Sequence, residues 1–178
     1  MHYSTITISG QLGSGKSTVA KMLAEKLNWD YYSTGMAQRE IAQKRGISTV
    51  ELNQQAISNP QIDEEIDGVF KNPPWGNKSC VVDSRLAFHF LPNSFKVCLL
   101  VDIETAAKRV LSSKGRVSEH YSTEKEALDY LKKRRTLELA HFAKNYQVDI
   151  ENLSQFNLVI NTTNLTPTEV CQKILEKL

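Results

Sequence analysis

Eight consecutive residues, Gly10-Gln11-Leu12-Gly13-Ser14-Gly15-Lys16-Ser17, fit the pattern GxxxxGK(S/T). Glycines at these positions let successive backbone amides turn inward around phosphate oxygens, and a following helix N-terminus adds a favourable field for the same charge. In this arrangement Gly10 to Gly15 form the cradle, Lys16 reaches the β/γ oxygens of a nucleoside triphosphate, and Ser17, followed by Thr18, offers a hydroxyl to Mg²⁺. The context is the one this chemistry needs. Tyr3 to Ser9 alternates β-branched residues before the loop, and Val19, Leu23 and Leu27 fall at helical spacing after it.

Three further groups of residues are suited to phosphate chemistry. Ser33-Thr34-Gly35 is a small-residue turn after Asp30-Tyr31-Tyr32, with Arg39 on the first turn of the helix that follows. Val81-Val82-Asp83-Ser84-Arg85 closes an apolar run with an acid and a base, at the strand end where open α/β sheets bind their ligands. The stretch Glu104 to Asn145 holds ten Lys and Arg against six Asp and Glu, although the whole chain carries a net charge of only +2. Arg109, Arg116 and Arg134 are its candidates for neutralising charge on a transferred phosphoryl group. Lys132 and Lys133 read as solvated surface.

The elements that must position these groups follow from pattern. The runs Cys80 to Val82, Val97 to Val101 and Phe156 to Ile160 suit buried parallel strands. With the first strand and Asp30 to Tyr32 they predict an open parallel α/β sheet of about five strands, covered by helices on both faces. Ser48 with Glu51, Asn59-Pro60, Thr123 with Glu126, and Thr166-Pro167 with Glu169 mark helix starts. Residues 36–72 read as several short helices. Trp75, in a Pro-Pro-Trp loop, either covers a base or caps the core.

The chain has 178 residues, 40% of them hydrophobic, a length suited to a single domain. It lacks a run of about 20 apolar residues and a signal-peptide pattern, so a cytoplasmic protein is expected. Cys80, Cys98 and Cys171 suggest neither a disulfide framework nor a zinc site.

Serine-threonine-glycine followed by Arg39 resembles the acceptor-phosphate motif of nucleoside monophosphate kinases. Val81 to Arg85 is similar to the corresponding stretch of cytidylate kinases. Gly46-Ile47-Ser48, Ile62-Asp63, Arg134 with Glu138, Tyr146 to Asp149 and Leu158 to Thr162 extend the likeness to the short archaeal cytidylate kinases over nearly the whole chain.

The resemblance implies a P-loop fold of three layers with strand order 2-3-1-4-5. It places an acceptor-binding subdomain at about 36–72 and a mobile lid at about 112–135. It implies ATP and Mg²⁺, with Ser17 and Asp83 toward the metal and Asn161 and Thr162 near the adenine. Ser33, Thr34, Gly35, Arg39, Asp63, Asp83 and Arg85 fall toward a nucleoside monophosphate, CMP or dCMP first. Met36 stands where the related adenylate kinase motif has an acid, and His141 falls where a second lid-helix arginine is expected. A monomer with no membrane or dedicated nucleic-acid partner is expected. The alternatives are another acceptor, namely AMP, UMP, dephospho-coenzyme A or a non-nucleotide alcohol, or an ATP-binding regulatory module with little catalysis.

Overall fold

A computed structural model describes residues 3–47, 49–112 and 122–178. The helix start expected at Ser48 and residues 113–121 of the expected lid, including Arg116, lie outside the described residues. Within them the strands are β1 (Thr5–Gly10), β2 (Asp30–Ser33), β3 (Cys80–Asp83), β4 (Phe95–Leu100) and β5 (Leu158–Asn161). All pairings are parallel, in the order β2-β3-β1-β4-β5.

Helices α1 (Lys16–Leu27) and α8 (Pro167–Leu175) cover one face of the sheet. Ile6 and Ile8 point to that side and are fully buried with Val19, Leu23, Val97, Leu99, Val170 and Ile174. Thr7 and Ser9 point to the other side. There the Thr7 and Ser94 hydroxyls lie 3.2 Å apart, and Ser9 Oγ donates to the Arg85 carbonyl at 3.0 Å. That second face is closed by α5 (Ala87–Phe90) and by the end of the long helix α7 (Glu124–Tyr146), through Leu86, Phe88, Val148 and Ile150. A strand buried on both faces needs every polar side chain satisfied, and these hydroxyls are.

Helices α2 (Thr34–Lys44), α3 (Thr49–Ser58) and α4 (Pro60–Asp67) follow β2 and share a small core of Ala42, Leu52, Ala56, Ile62 and Ile66. The helix starts expected at Asn59, Thr123 and Thr166 are real caps. Their side chains accept from the amides of Gln61, Glu126 and Glu169, and Thr166 with Glu169 completes a reciprocal capping box. Trp75 is buried and tilted against Tyr32 at 5.2 Å, so it caps the core. The three cysteines are buried and free. Among the described residues no helix is long and apolar enough to cross a membrane.

The end of β1 leaves no room for a side chain. A Cβ on Gly10, whose φ is +134°, would lie 2.1 Å from the Leu99 carbonyl oxygen, whereas one on Gly15 would meet nothing within 4 Å. Gly10→Ala is therefore expected to cost more than about 3 kcal/mol, since backbone must move. Gly15→Ala is expected to cost about 1–2 kcal/mol, the strain of a left-handed residue alone. Urea unfolding of the two variants measures the contrast.

Candidate active site

The loop between β1 and α1 is tied down from beneath. Gln11 N donates to Leu99 O at 3.0 Å, and Gln11 Oε1 accepts from Val101 N at 2.7 Å. Gln11 O in turn collects Ser14 Oγ at 2.7 Å and Lys16 Nζ at 3.0 Å. Gly13 and Gly15 have φ of +77° and +86°. Gly15 is the N-cap of α1 and has no side chain to satisfy the first amides, which leaves them for an anion. Leu12 anchors the loop on the other side, against the apolar contact between α6 (Ile103–Ser112) and α7. Thr18 is exposed on the first turn of α1.

Ser17 Oγ donates to Asp83 Oδ2 at 2.5 Å. This contact joins the first turn of α1 to the end of β3, the strand next to β1. Two hard oxygens converge beside the phosphate cradle, a donor set that fits Mg²⁺ completed by waters and phosphate oxygens. Tyr31 also donates to Asp83 Oδ2, at 3.3 Å, and its hydroxyl is pushed up to about 12, first by burial and then by the Asp83 charge. Lys21 sits over the Tyr31 ring at 5.8 Å.

Parallel pairing puts Ser33 directly opposite Asp83. The turn Ser33-Thr34-Gly35 therefore opens α2 beside the Ser17–Asp83 contact. A Cβ at Gly35 would meet Ser33 Oγ at 3.6 Å and Arg39 Nη1 at 3.7 Å, so the Arg39 guanidinium folds back over this glycine. Arg39 is exposed and has no ion-pair partner among the described residues. Met36, on the same turn, is 51% exposed.

Arg85 and Arg134 meet at one carboxylate. Arg85 is paired with Glu138, and Arg134 Nε donates to Glu138 Oε1 at 2.9 Å, with its Nη1 on Tyr130 Oη at 3.1 Å. Arg135 instead reaches out to Glu151 at 2.8 Å, and Lys132 and Lys133 are exposed. Arg109 is placed differently from Arg134. Its guanidinium donates to Thr162 O at 2.7 Å, Thr162 Oγ1 at 3.1 Å, Thr163 O at 3.2 Å and Gly13 O at 3.4 Å. The buried Thr162 hydroxyl also lies 3.1 Å from Ser14 O. Arg109 and Thr162 thus join the segment after β5 to the phosphate loop. Asn161 is exposed there and accepts from Thr163 N at 3.0 Å.

Asp63 lies on α4 facing α7, where Oδ2 accepts from His141 Nε2 and Asn145 Nδ2, each at 3.0 Å. Sequence reasoning passed over its neighbour Asp67, which accepts from Tyr146 Oη at 2.5 Å. The spacing of Asp63 and Asp67, one turn apart on α4, places both on one face, but no local signal names their partners 79 and 82 residues away. The Arg134–Glu138 pair, by contrast, is visible as an i,i+4 spacing.

Comparison with known proteins agrees with this geometry. A family model described as an AAA domain matches residues 6–132. An S-adenosylmethionine-dependent nucleotide dehydratase from Lacinutrix mariniflava is 38% identical over 96% of the chain, which spans about a third (35%) of that relative's length. A shikimate kinase from Bacteroides thetaiotaomicron, 16% identical, shares the fold with a TM-score of 0.66 over 97% of this chain and 96% of that one. A cytidylate kinase from Sulfurisphaera tokodaii is 36% identical over 96% of this chain and 92% of its own. By that identity and coverage the chain belongs to the cytidylate kinase family.

Proposed function

We propose that the protein transfers the γ-phosphoryl group of ATP to a nucleoside monophosphate, with CMP or dCMP as the acceptor. The observation that carries this reading is the juxtaposition at the ends of β1, β2 and β3. There the triphosphate loop, the Ser17–Asp83 pair and the Ser33 turn with Arg39 converge on one point of the sheet edge. A triphosphate-binding module alone has no need of the second turn or of Arg39 and Arg85. Membership of the cytidylate kinase family supports a cytidine acceptor.

In this reading the loop amides and Lys16 hold the β and γ phosphates. Ser17 would hold Mg²⁺ directly and Asp83 through water, and the ion would supply neutralisation of charge on the phosphate oxygens. Arg39 and Arg85 grip the acceptor phosphate with planar guanidinium groups. One acceptor phosphate oxygen forms a bond to the γ phosphorus as the bond to the β–γ bridging oxygen breaks, and ADP leaves with that oxygen's charge. No covalent enzyme intermediate is required, so the side chains contribute position and charge. Arg134 lies on the acceptor side, and Arg109 acts on the donor side by fixing the phosphate loop against Thr162. The role of Arg116 rests on the basic run in the sequence alone.

ADP release from Mg-ATP is the direct test, with CMP, dCMP, UMP, AMP and GMP as acceptors. Turnover is expected with CMP or dCMP, and Lys16→Ala is expected to lower it at least about 100-fold. Release that no monophosphate stimulates, despite ATP binding, would leave an ATP-binding module in place of a kinase. A second measurement separates the two sides of the site. Arg39→Ala is expected to raise KM for the acceptor about tenfold or more with little change in KM for ATP, as suits a lost charge-assisted contact. Arg109→Ala is expected to show the opposite split.

A further inference from the structure

The face of α4 that carries Asp63 and Asp67 looks toward the last two turns of α7. Asp67 receives the Tyr146 hydroxyl on Oδ2, and its Oδ1 has no hydrogen-bond partner among the described residues. Aromatic rings line the surroundings. Phe70 stacks on Phe90 at 5.3 Å, and Phe90 meets Tyr146 edge-on at 5.9 Å. Tyr32, whose hydroxyl is pushed up by burial and by the Asp67 charge, immediately precedes the Ser33 turn. The phosphate end of the acceptor site is marked by Arg39, Arg85 and Arg134. Asp67 stands at the other end, where α7 has advanced eight residues beyond Glu138, or about 12 Å. A nucleotide gripped by its phosphate at the first end directs its base toward the second.

We propose that Asp67 is the base-selecting residue of the acceptor site, accepting a hydrogen bond on Oδ1 from the exocyclic amine of cytosine while Tyr146 holds Oδ2. This rests on the kinase reading above and deepens it. Cytosine presents an amine donor where uracil presents a carbonyl oxygen, so an ionised carboxyl attracts the first and repels the second. A protonated Asp67 would donate to the uracil carbonyl and discriminate poorly. Burial raises the Asp67 carboxyl to about 6, and Asp63 adds to the rise, while the Tyr146 hydrogen bond and the nearby His141 oppose it. The groups facing Asp67 are thus Asp63 on α4, His141 and Tyr146 on α7, and Tyr32 on β2. Selection of cytosine over uracil should strengthen as pH rises through about 6. The second ionisation of a phosphate monoester also falls near 6, but it is common to both acceptors and cancels in their ratio.

The test is the ratio of kcat/KM for CMP to that for UMP, followed from pH 5.5 to 8 with saturating Mg-ATP, in the wild type, Asp67→Asn and Tyr146→Phe. Thermal melting checks that each variant is folded. The wild-type ratio is expected to favour CMP and to rise several-fold across the range. Asp67→Asn, whose amide can both accept and donate, is expected to lower the ratio at pH 8 about tenfold, the worth of one discriminating hydrogen bond, and to flatten its pH dependence. Tyr146→Phe removes a bond that favours the ionised carboxyl, so the rise is expected to move to higher pH. A merely structural role for Tyr146 would not move that midpoint.

An unchanged ratio in folded Asp67→Asn, a wild-type ratio indifferent to pH, or a preference for UMP would overturn the proposal. Should Asp67→Asn not fold, the wild-type profile and the Tyr146→Phe shift decide. Turnover with no monophosphate at all would overturn the kinase reading instead. Equilibrium binding of CMP and UMP then decides on Asp67, for which equal affinities in the wild type would be fatal.

Discussion

At the end of β1 the chain runs so close to the backbone of Leu99 that only glycine fits at residue 10. Everything catalytic lies downstream of that contact. It sets the height at which the loop leaves the sheet, and the amide of Gln11 and its side chain, bonded to Leu99 and Val101, keep the loop there. The loop then delivers Lys16 and Ser17 as the first two residues of α1, and Ser17 lands on Asp83 one strand away. A loop free to rise from β4 would carry the Ser17 hydroxyl away from the Asp83 carboxylate, and the pair would not form.

Charge in the site is balanced in a particular way. Arg85 and Arg134 share one carboxylate, Glu138, so the pair keeps a net positive charge while neither guanidinium is left bare. Arg39, by contrast, is exposed on the first turns of α2. The phosphate loop presents fixed backbone dipoles and Lys16, while Arg39, Arg85 and Arg134 are side-chain cations carried by separate elements. Such a division suits a reaction in which two anions must be brought together before charge redistributes.

What could be read from the residues alone was what is encoded locally. The glycine loop, the caps at Asn59, Thr123 and Thr166, and the apolar runs that became β1, β3 and β4 all depend on neighbours within a few positions. The strand order came with the family resemblance, because periodicity does not say which strands are adjacent. Arg109 shows the limit plainly. Its basic neighbours suggested a lid cation, but its partners are carbonyls 53, 54 and 96 residues away that only the folded chain assembles. The same holds for Asp67 and Tyr146, whose pairing nothing local announces and which meet only because α4 and α7 cross. His141, a departure from the expected second lid-helix arginine, is seen paired with Asp63. Met36, the other departure, projects into solvent, and nothing in the fold explains it.

The long helix α7 has one further consequence. It is continuous over 23 residues, yet its fully buried side chains, Ala127 and Leu131, both lie in its first third. Beyond Leu131 the helix runs about 22 Å to Tyr146, and along that stretch it is also tied down by polar side chains, Glu138 on Arg85, His141 and Asn145 on Asp63, and Tyr146 on Asp67. Apolar contact tolerates sliding where hydrogen bonds do not, so the near end of α7 is positioned by volume and the far end by direction.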